Sequence, residues 1–428
     1  MTIAVGLSGG VDSSVAALLL KQQGYDIFGL FMQNWNDSSV TLHGDCTWED
    51  DLNLAMMTAK KLDIPFHFVD LSATYKQRVV DYMFSEYEHG RTPNPDVLCN
   101  REIKFDAFLH HAQELGADMV ATGHYCRRAV VGDDTFGTQP DILSKHLTTN
   151  DNSHIYNLLA GSDPNKDQSY FLCQLNQEQL SKAIFPIGDI VKPEVRRLAA
   201  EAGLPTADRK DSQGICFVGK VDLPVFLQQQ LKPKDGNVVE IFRDFKLYKR
   251  HNLTTEEAIS FADSLLSQGR VDELAEYLAK TCRPIFYNQK DGKVIGMHQG
   301  AWFYTIGQRK GLNIGGHAEP LFVLSTDIQE NVVYMGEGQD HPGLHRIGLF
   351  VQENEIHTIR KEMALKAGER MEAMVRIRYR QPLQQAVLYK VEHGLFILFK
   401  QYQRGITPGQ FAAWYIDNEL VGSGVIDR

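Results

Sequence analysis

No Cys-x-x-Cys pair occurs in this 428-residue chain, although it holds six cysteines, at positions 46, 99, 126, 173, 216 and 282. That absence argues against zinc ribbons, iron–sulfur ligation by cysteine pairs and a secreted disulfide scaffold. No metal-ligating set is legible in the sequence. Long apolar runs are lacking too: none approaches the roughly 18–20 residues that span a bilayer. The N-terminus, Met1-Thr2-Ile3-Ala4-Val5-Gly6-Leu7, has neither a basic region before a cleavable apolar stretch nor an Arg-rich amphipathic character. The expectation is a cytoplasmic protein with no membrane partner. Net positive charge is also missing. The balance of −10 speaks mildly against nucleic-acid binding, because phosphate contacts need Lys and Arg. Arg376, Arg378 and Arg380 nevertheless alternate, and on a strand that spacing puts all three on one face. Such a face is either a phosphate-binding patch or simply solvated.

What is present is ordinary globular material, 43% hydrophobic and 23% charged, in a chain too long for one compact core. Short β-rich runs alternate with helical stretches through the first half. Strands are expected at Ile3–Leu7, Asp26–Met32, Phe66–Leu71 and Met119–Thr122, and helices at Ser13–Gln23, Asp50–Leu62 and Phe105–Leu115. This is the pattern of an α/β fold with a doubly wound parallel sheet. Residues 1–220 form that domain, and 221–312 a small mixed central domain with a helical insertion at about 240–285. Residues 313–428, rich in short strands such as Leu321-Phe322-Val323-Leu324, form a C-terminal β-barrel. Thr254-Thr255-Glu256-Glu257 looks like a helix cap and Gly269 like the divider of a helical pair, Thr254–Ala279. Residues 132–153 have the composition of an exposed insertion.

A glycine turn follows the first strand: Ser8-Gly9-Gly10-Val11-Asp12-Ser13-Ser14. Two glycines let backbone N–H groups approach a pyrophosphate, and three hydroxyls add donors at a positive helix N-terminus. It is not a Walker loop, because no Gly-x-x-x-x-Gly-Lys-Ser/Thr occurs. The string resembles that of the PP-loop ATP pyrophosphatases. The resemblance implies cleavage of ATP between its α and β phosphates, with adenylation of a substrate oxygen.

Two cysteine motifs stand out as sources of a nucleophile. Cys99 lies in Gly90-Arg91-Thr92-Pro93-Asn94-Pro95-Asp96-Val97-Leu98-Cys99-Asn100, whose prolines and asparagines suggest a rigid polar loop, with Arg101 and Lys104 nearby to favour thiolate. Cys216 lies in Asp211-Ser212-Gln213-Gly214-Ile215-Cys216-Phe217, with glycines on both sides. Four more strings follow the same order: Ala121–Tyr125, Asp163–Leu172, Tyr304–Leu312 and Pro408-Gly409-Gln410. Together they cover nearly the whole chain, which resembles the bacterial and mitochondrial tRNA 2-thiouridylase family, commonly called MnmA.

That resemblance implies ATP, with Mg²⁺ on its polyphosphate, lying against Gly6, Leu7, Ser8, Gly9, Gly10, Val11, Asp12 and Ser13, with Met32 and Gly123 at the base. It implies a target uridine near Asn94, Pro95 and Asp96, a persulfide on Cys216, and a Cys99–Cys216 disulfide left after turnover. Asp96 is either the acid/base group for the N3 proton or a loop cap. His124, Lys166, Asp167, Gln168, Arg378, Tyr379 and Gln410 are expected at the RNA surface, and Tyr379 suits base stacking. The implied partners are tRNAs for Lys, Glu and Gln and a sulfur-donor protein, either a persulfide carrier or a cysteine desulfurase. Cys46, Cys126, Cys173 and Cys282 are left as small buried hydrophobes. The segment around 237–287 is longer than the family's pattern; its helices are either a tolerated insertion or a surface for a partner. Two other readings stay open, a PP-loop amidotransferase or synthetase and a tRNA-binding protein without chemistry.

Overall fold

The computed structural model describes residues 1–35, 48–132, 154–211, 223–251, 254–312 and 314–427. Cys46, Cys216 and most of the 132–153 insertion lie outside the described residues.

The central N-terminal strands carry Val, Ile, Leu and Phe with almost no polar interruption, so both faces must be covered, while the edge strand Phe66–Asp70 leaves His67, Phe68 and Asp70 exposed. They form a five-stranded sheet in the order Phe66–Asp70, Asp26–Gln33, Thr2–Gly6, Met119–Ala121, Ala183–Ile184. Every pairing is parallel. Asp26–Gln33 is buried at every position after Asp26. The helices Val11–Gln22 and Trp48–Leu62 pack on this sheet through Ala17, Leu20, Ala55 and Ala59. After Thr2–Gly6 the chain lays two strands on one side, then crosses to the other with Met119–Ala121. Ligands of such sheets bind at that reversal, beyond the carboxyl ends of the two central strands. Residues 7–13 and Gly123 stand there.

The division further along the chain differs from expectation. Leu321–Asp327 and Val332–Glu337, expected in the C-terminal barrel, pair instead with Gly236–Glu240 and Lys293–His298 in a four-stranded central sheet. The barrel proper runs from His345–Thr358 through Gly394–Arg404, Gln384–Val391, Arg370–Arg376 and Phe411–Ile416 to Glu419–Ile426. The first and last of these strands pair, which closes it. Two strands from the N-terminal region extend the same sheet: Tyr156–Ala160 pairs with Glu419–Ile426, and Cys126–Val130 pairs in turn with Tyr156–Ala160. The 132–153 insertion is thus the connection between two strands docked on the barrel.

The helical pair is observed at Thr255–Ser267 and Val271–Thr281, and Gly269 between them has φ 69°. The Thr254 hydroxyl accepts from the Glu257 amide, and the Glu257 carboxylate accepts from the Thr254 amide. Ala258, Ala262, Leu265, Leu274 and Leu278 pack on Val387, Tyr389, Phe396 and Leu398 of the barrel. The Tyr389 hydroxyl donates to Asp263 at 2.9 Å. The apolar face of the pair therefore covers the barrel, where each buried leucine contributes ~1.5–3 kcal/mol.

Arg376, Arg378 and Arg380 do not share a strand face. The strand ends at Arg376, the Ile377 amide donates to the Gln381 side chain, and Arg380 takes a left-handed φ of 64°. The local turn therefore overrides the alternation. Arg376 turns inward to a salt bridge with Asp167 at 3.0 Å, with side-chain exposures of 9% and 4%. Breaking a buried pair strands the remaining charge, which costs ~3–5 kcal/mol. Asp167→Ala is expected to destabilise the protein by about that amount in urea unfolding. A loss below ~1 kcal/mol would show that the pair is not what ties residues 161–169 to the barrel.

Candidate active site

The turn after Thr2–Gly6 is shaped by its small residues. Gly9 has φ 72°, and a Cβ there would lie 2.5 Å from the Asp51 carbonyl oxygen, so both conformation and contact require glycine. The Ser13 hydroxyl accepts from the Ser8 amide at 3.1 Å, lies 3.1 Å from the Ser8 hydroxyl and donates to the Gly10 carbonyl. The first-turn amides of Val11–Gln22 have no intrahelical acceptors, which leaves a positive, donor-rich pocket suited to phosphate. Gly123 presses against this loop: a Cβ there would sit 2.7 Å from the Asp12 carbonyl carbon and the Ser13 nitrogen. Met32 is buried near the end of its strand.

Asp12 anchors a charge network absent from the expectations. Its carboxylate accepts from the Tyr125 hydroxyl at 2.7 Å and from Lys192 Nζ at 2.7 and 2.9 Å. Lys192, almost fully buried, also lies 2.8 Å from Asp211, which Lys166 and Arg196 approach at 2.6 and 2.7 Å. Burial alone would raise the Asp211 carboxyl; the hydrogen bonds from Lys166 and Lys192 outweigh it and hold the group at about 2. Its anchoring is complete above the ordinary value of 3.8 and is lost as pH falls through about 2. The nucleotide turn is thereby connected to the residue that opens the Cys216 motif. Lys192 left one weak trace in sequence, a cation in the first turn of the helix Lys192–Glu201, where the dipole disfavours it. Tyr125 and Asp211 lay inside quoted motifs without a role.

Cys99 is not on a loop. Asn94 caps a turn of helix, Pro95–Leu98, by accepting from the Val97 amide, and Cys99 continues it as the first residue of a wider-turned stretch to Ala107. The proline-rich sequence is a helix start: Pro95 sits at a first-turn position that needs no N–H. Cys99 is fully buried among Leu98, Ile103 and Phe108. Asp96, one turn earlier at i−3, is half-exposed, and its carbonyl accepts from the Asn100 side chain.

The Asn94 side chain donates to Gln410 at 3.5 Å, and Gln410 donates to the carbonyls of Thr92 and Pro93 at 2.8 and 3.1 Å. Phe171, whose carbonyl accepts from Asn100, packs on Tyr379 with ring centroids 4.3 Å apart. Asn94, Pro95, Asp96, Cys99, Tyr379 and Gln410 thus come together where the Cys99 helix meets the barrel. Arg378 is half-buried and donates to the Gly405 carbonyl.

Other expected RNA contacts face inward. Asp167 is buried, with one oxygen accepting from the Gly161 and Ser169 amides and the other from Arg376. The Gln168 side chain accepts from the Tyr125 amide, and Lys166 belongs to the Asp211 network. His124 is buried between Phe105 and Phe185, its Nδ1 2.8 Å from the Thr122 hydroxyl. Burial, then the Lys104 cation, hold it well below its usual pKa, so the ring is neutral. Cys126, Cys173 and Cys282 are buried; burial raises all three thiols, the last two to about 12.

A PP-loop at the switch point of a parallel sheet, joined to a four-stranded central sheet and a closed C-terminal barrel, defines a three-part nucleotide-binding protein. The sequence matches three family descriptions in that order: a tRNA methyl transferase HUP domain over residues 1–220, its PRC-barrel domain over 272–337 and an aminomethyltransferase β-barrel domain over 349–426. The chain belongs to the tRNA-specific 2-thiouridylase MnmA family. Relatives of that name from Christiangramia forsetii and Flavobacterium johnsoniae are 55% and 53% identical to it, each match covering 99% of both chains. Among solved structures, a 4-thiouridine synthetase in an RNA complex with bound ATP is 16% identical, with a TM-score of 0.28. It covers 54% of this chain and 50% of that one, a likeness too low to build on.

Proposed function

We propose that this protein is an ATP-dependent tRNA-uridine 2-sulfurtransferase. ATP binds at residues 6–13 over Met32 and Gly123, with Mg²⁺ neutralising the polyphosphate. The uridine O2 attacks the α-phosphorus, pyrophosphate leaves, and C2 then carries an adenylate. The terminal sulfur of a Cys216 persulfide attacks C2 and AMP leaves with the former O2. Cys99 thiolate then attacks the Cys216 sulfur of the adduct, the S–S bond breaks, and the thiocarbonyl of 2-thiouridine is released. A Cys99–Cys216 disulfide remains, and an external thiol must reduce it. The persulfide itself comes from a sulfur-donor protein. The wobble uridine of tRNAs for Lys, Glu and Gln is the proposed target.

The observation that carries this reading is the 55% identity over 99% of both chains to a relative named for the activity. The geometry supports it locally. The turn offers amide donors to phosphate, and Asp96 stands one helical turn from Cys99, where a carboxylate can manage the N3 proton. The methyl transferase wording of the family description names another reaction. Sulfur transfer is preferred because two cysteine motifs supply its nucleophiles. Among the described residues no helix is long and apolar enough to cross a membrane.

Incubation of unmodified tRNA with the protein, Mg-ATP and a persulfide donor should give 2-thiouridine by nucleoside mass spectrometry, with one AMP per sulfur inserted. AMP release with no thiolated nucleoside would point to another nucleophile and sink the sulfur-transfer reading.

A further inference from the structure

The central sheet carries a cluster that the nucleotide chemistry does not use. Glu240 and Glu337 end two strands that pair in parallel, with Met335 opposite Glu240. His317 arrives from the connection after the Tyr304–Leu312 motif. Its Nδ1 lies 3.5 Å from Glu240 Oε1 and 3.6 Å from Glu337 Oε2, and the three ligand atoms fall within 4.8 Å of one another. Those separations are long for a charge-assisted hydrogen bond, which closes to ~2.7–2.9 Å. They match a coordination edge: ligands ~2.1 Å from a tetrahedral ion stand ~3.4 Å apart.

Burial and charge point the same way. The Glu240 side chain is 9% exposed, and its one ion-pair partner among the described residues is His317. Lys293 is its cross-strand neighbour in register, yet makes no ion pair with it among the described residues. Glu337 Oε1 accepts from the Glu319 amide at 2.7 Å, which leaves Oε2 directed at His317. Arg243 is already paired with Asp340 at 2.5 Å. Two carboxylates thus converge on one imidazole. His317 and Glu337 remain 17% and 30% exposed, which opens the solvent side to water ligands.

We propose that Glu240, His317 and Glu337 bind one divalent transition-metal ion of the Zn²⁺ class, with water completing its coordination. The ion would clip the chain after the Tyr304–Leu312 motif onto the ends of two sheet strands. The three ligands lie too far apart in sequence to form a readable spacing, so the site emerges only from the fold.

The full-length protein titrated with Co²⁺ tests this, because cobalt absorption separates nitrogen and oxygen ligands from thiolates. The expected result is one equivalent bound with ligand-field bands, no thiolate charge-transfer band and a raised Tm. Loss of even an outer-shell partner costs a metal site ~10–100-fold, so His317→Ala and Glu337→Gln should each weaken binding at least ~10-fold. Circular dichroism checks both folds, and the milder Glu337→Gln serves if His317→Ala unfolds. No bound Co²⁺, wild-type affinity in either folded variant, or a thiolate spectrum would overturn the proposal.

Discussion

Cys216→Ser is expected to cut persulfide-driven 2-thiouridine formation by at least ~10³-fold while leaving AMP release measurable. A serine hydroxyl cannot hold a transferable sulfur, whereas adenylation at the PP-loop precedes sulfur transfer and does not need the thiol. Cys99→Ser should stop turnover at a different place. Without a resolving thiolate, sulfur bonded to C2 stays joined to Cys216, so a covalent protein–tRNA adduct should accumulate and be released by dithiothreitol. Non-reducing denaturing gels read the adduct, and nucleoside mass spectrometry reads the product. If Cys99 instead frees hydrosulfide from the persulfide, no adduct forms, and added sulfide should restore both variants. Cys99 lies fully buried in a core cluster, so a substitution there can also disturb folding. Circular dichroism must therefore accompany the assay. Thiolation near the wild-type rate by either folded variant would contradict the two-cysteine mechanism.

Gly123→Ala is expected to lower the adenylation rate by ~10²-fold or more, since a shift of about 1 Å in a positioning element has that effect. Gly123 is not conformationally special; contact decides the outcome. Its added methyl would meet the backbone of Asp12 and Ser13 at 2.7 Å, and backbone cannot rotate away as a side-chain tip can. Displacing Asp12 also disturbs its bonds to Tyr125 and Lys192, and through Lys192 the pairing with Asp211. Overpacking costs ~1–3 kcal/mol, so the variant should fold with a reduced Tm and still lose AMP formation. Activity within about twofold of wild type would mean that the PP-loop is not seated against the 119–123 strand end.

Four of the five parallel strands were legible as mainly apolar runs bounded by turn residues, whereas Ala183–Ile184, only two residues long, was not. The expected Asp26–Met32, Phe66–Leu71 and Met119–Thr122 differ by one residue from the strands observed. The Thr254 cap and the Gly269 divide were equally legible, since both are local chemistry. Three features depended on distant partners and were not. Leu321–Asp327 alternates like a barrel strand, but its pairing with Val332–Glu337 puts it in the central sheet. Cys126–Val130 joins the barrel although it follows a Rossmann-like strand, because it hairpins with Tyr156–Ala160 onto Glu419–Ile426. Asp167 and Arg376 look like surface charges until their burial against each other is seen. The PP-loop needed only seven contiguous residues to be recognised, whereas the Lys192–Asp12–Asp211 network joins three separate segments. The Cys99 motif was found for its residue types and misjudged in shape, since Asn94 and Pro95 start a helix instead of stiffening a loop.

The central claim is that uridine O2 is adenylated and leaves on AMP. An anticodon stem-loop bearing ¹⁸O at uridine O2, incubated with the protein, Mg-ATP and a persulfide donor, tests it most directly. The AMP released should carry one ¹⁸O for each 2-thiouridine formed. Unlabelled AMP accompanying full thiolation would contradict activation at O2.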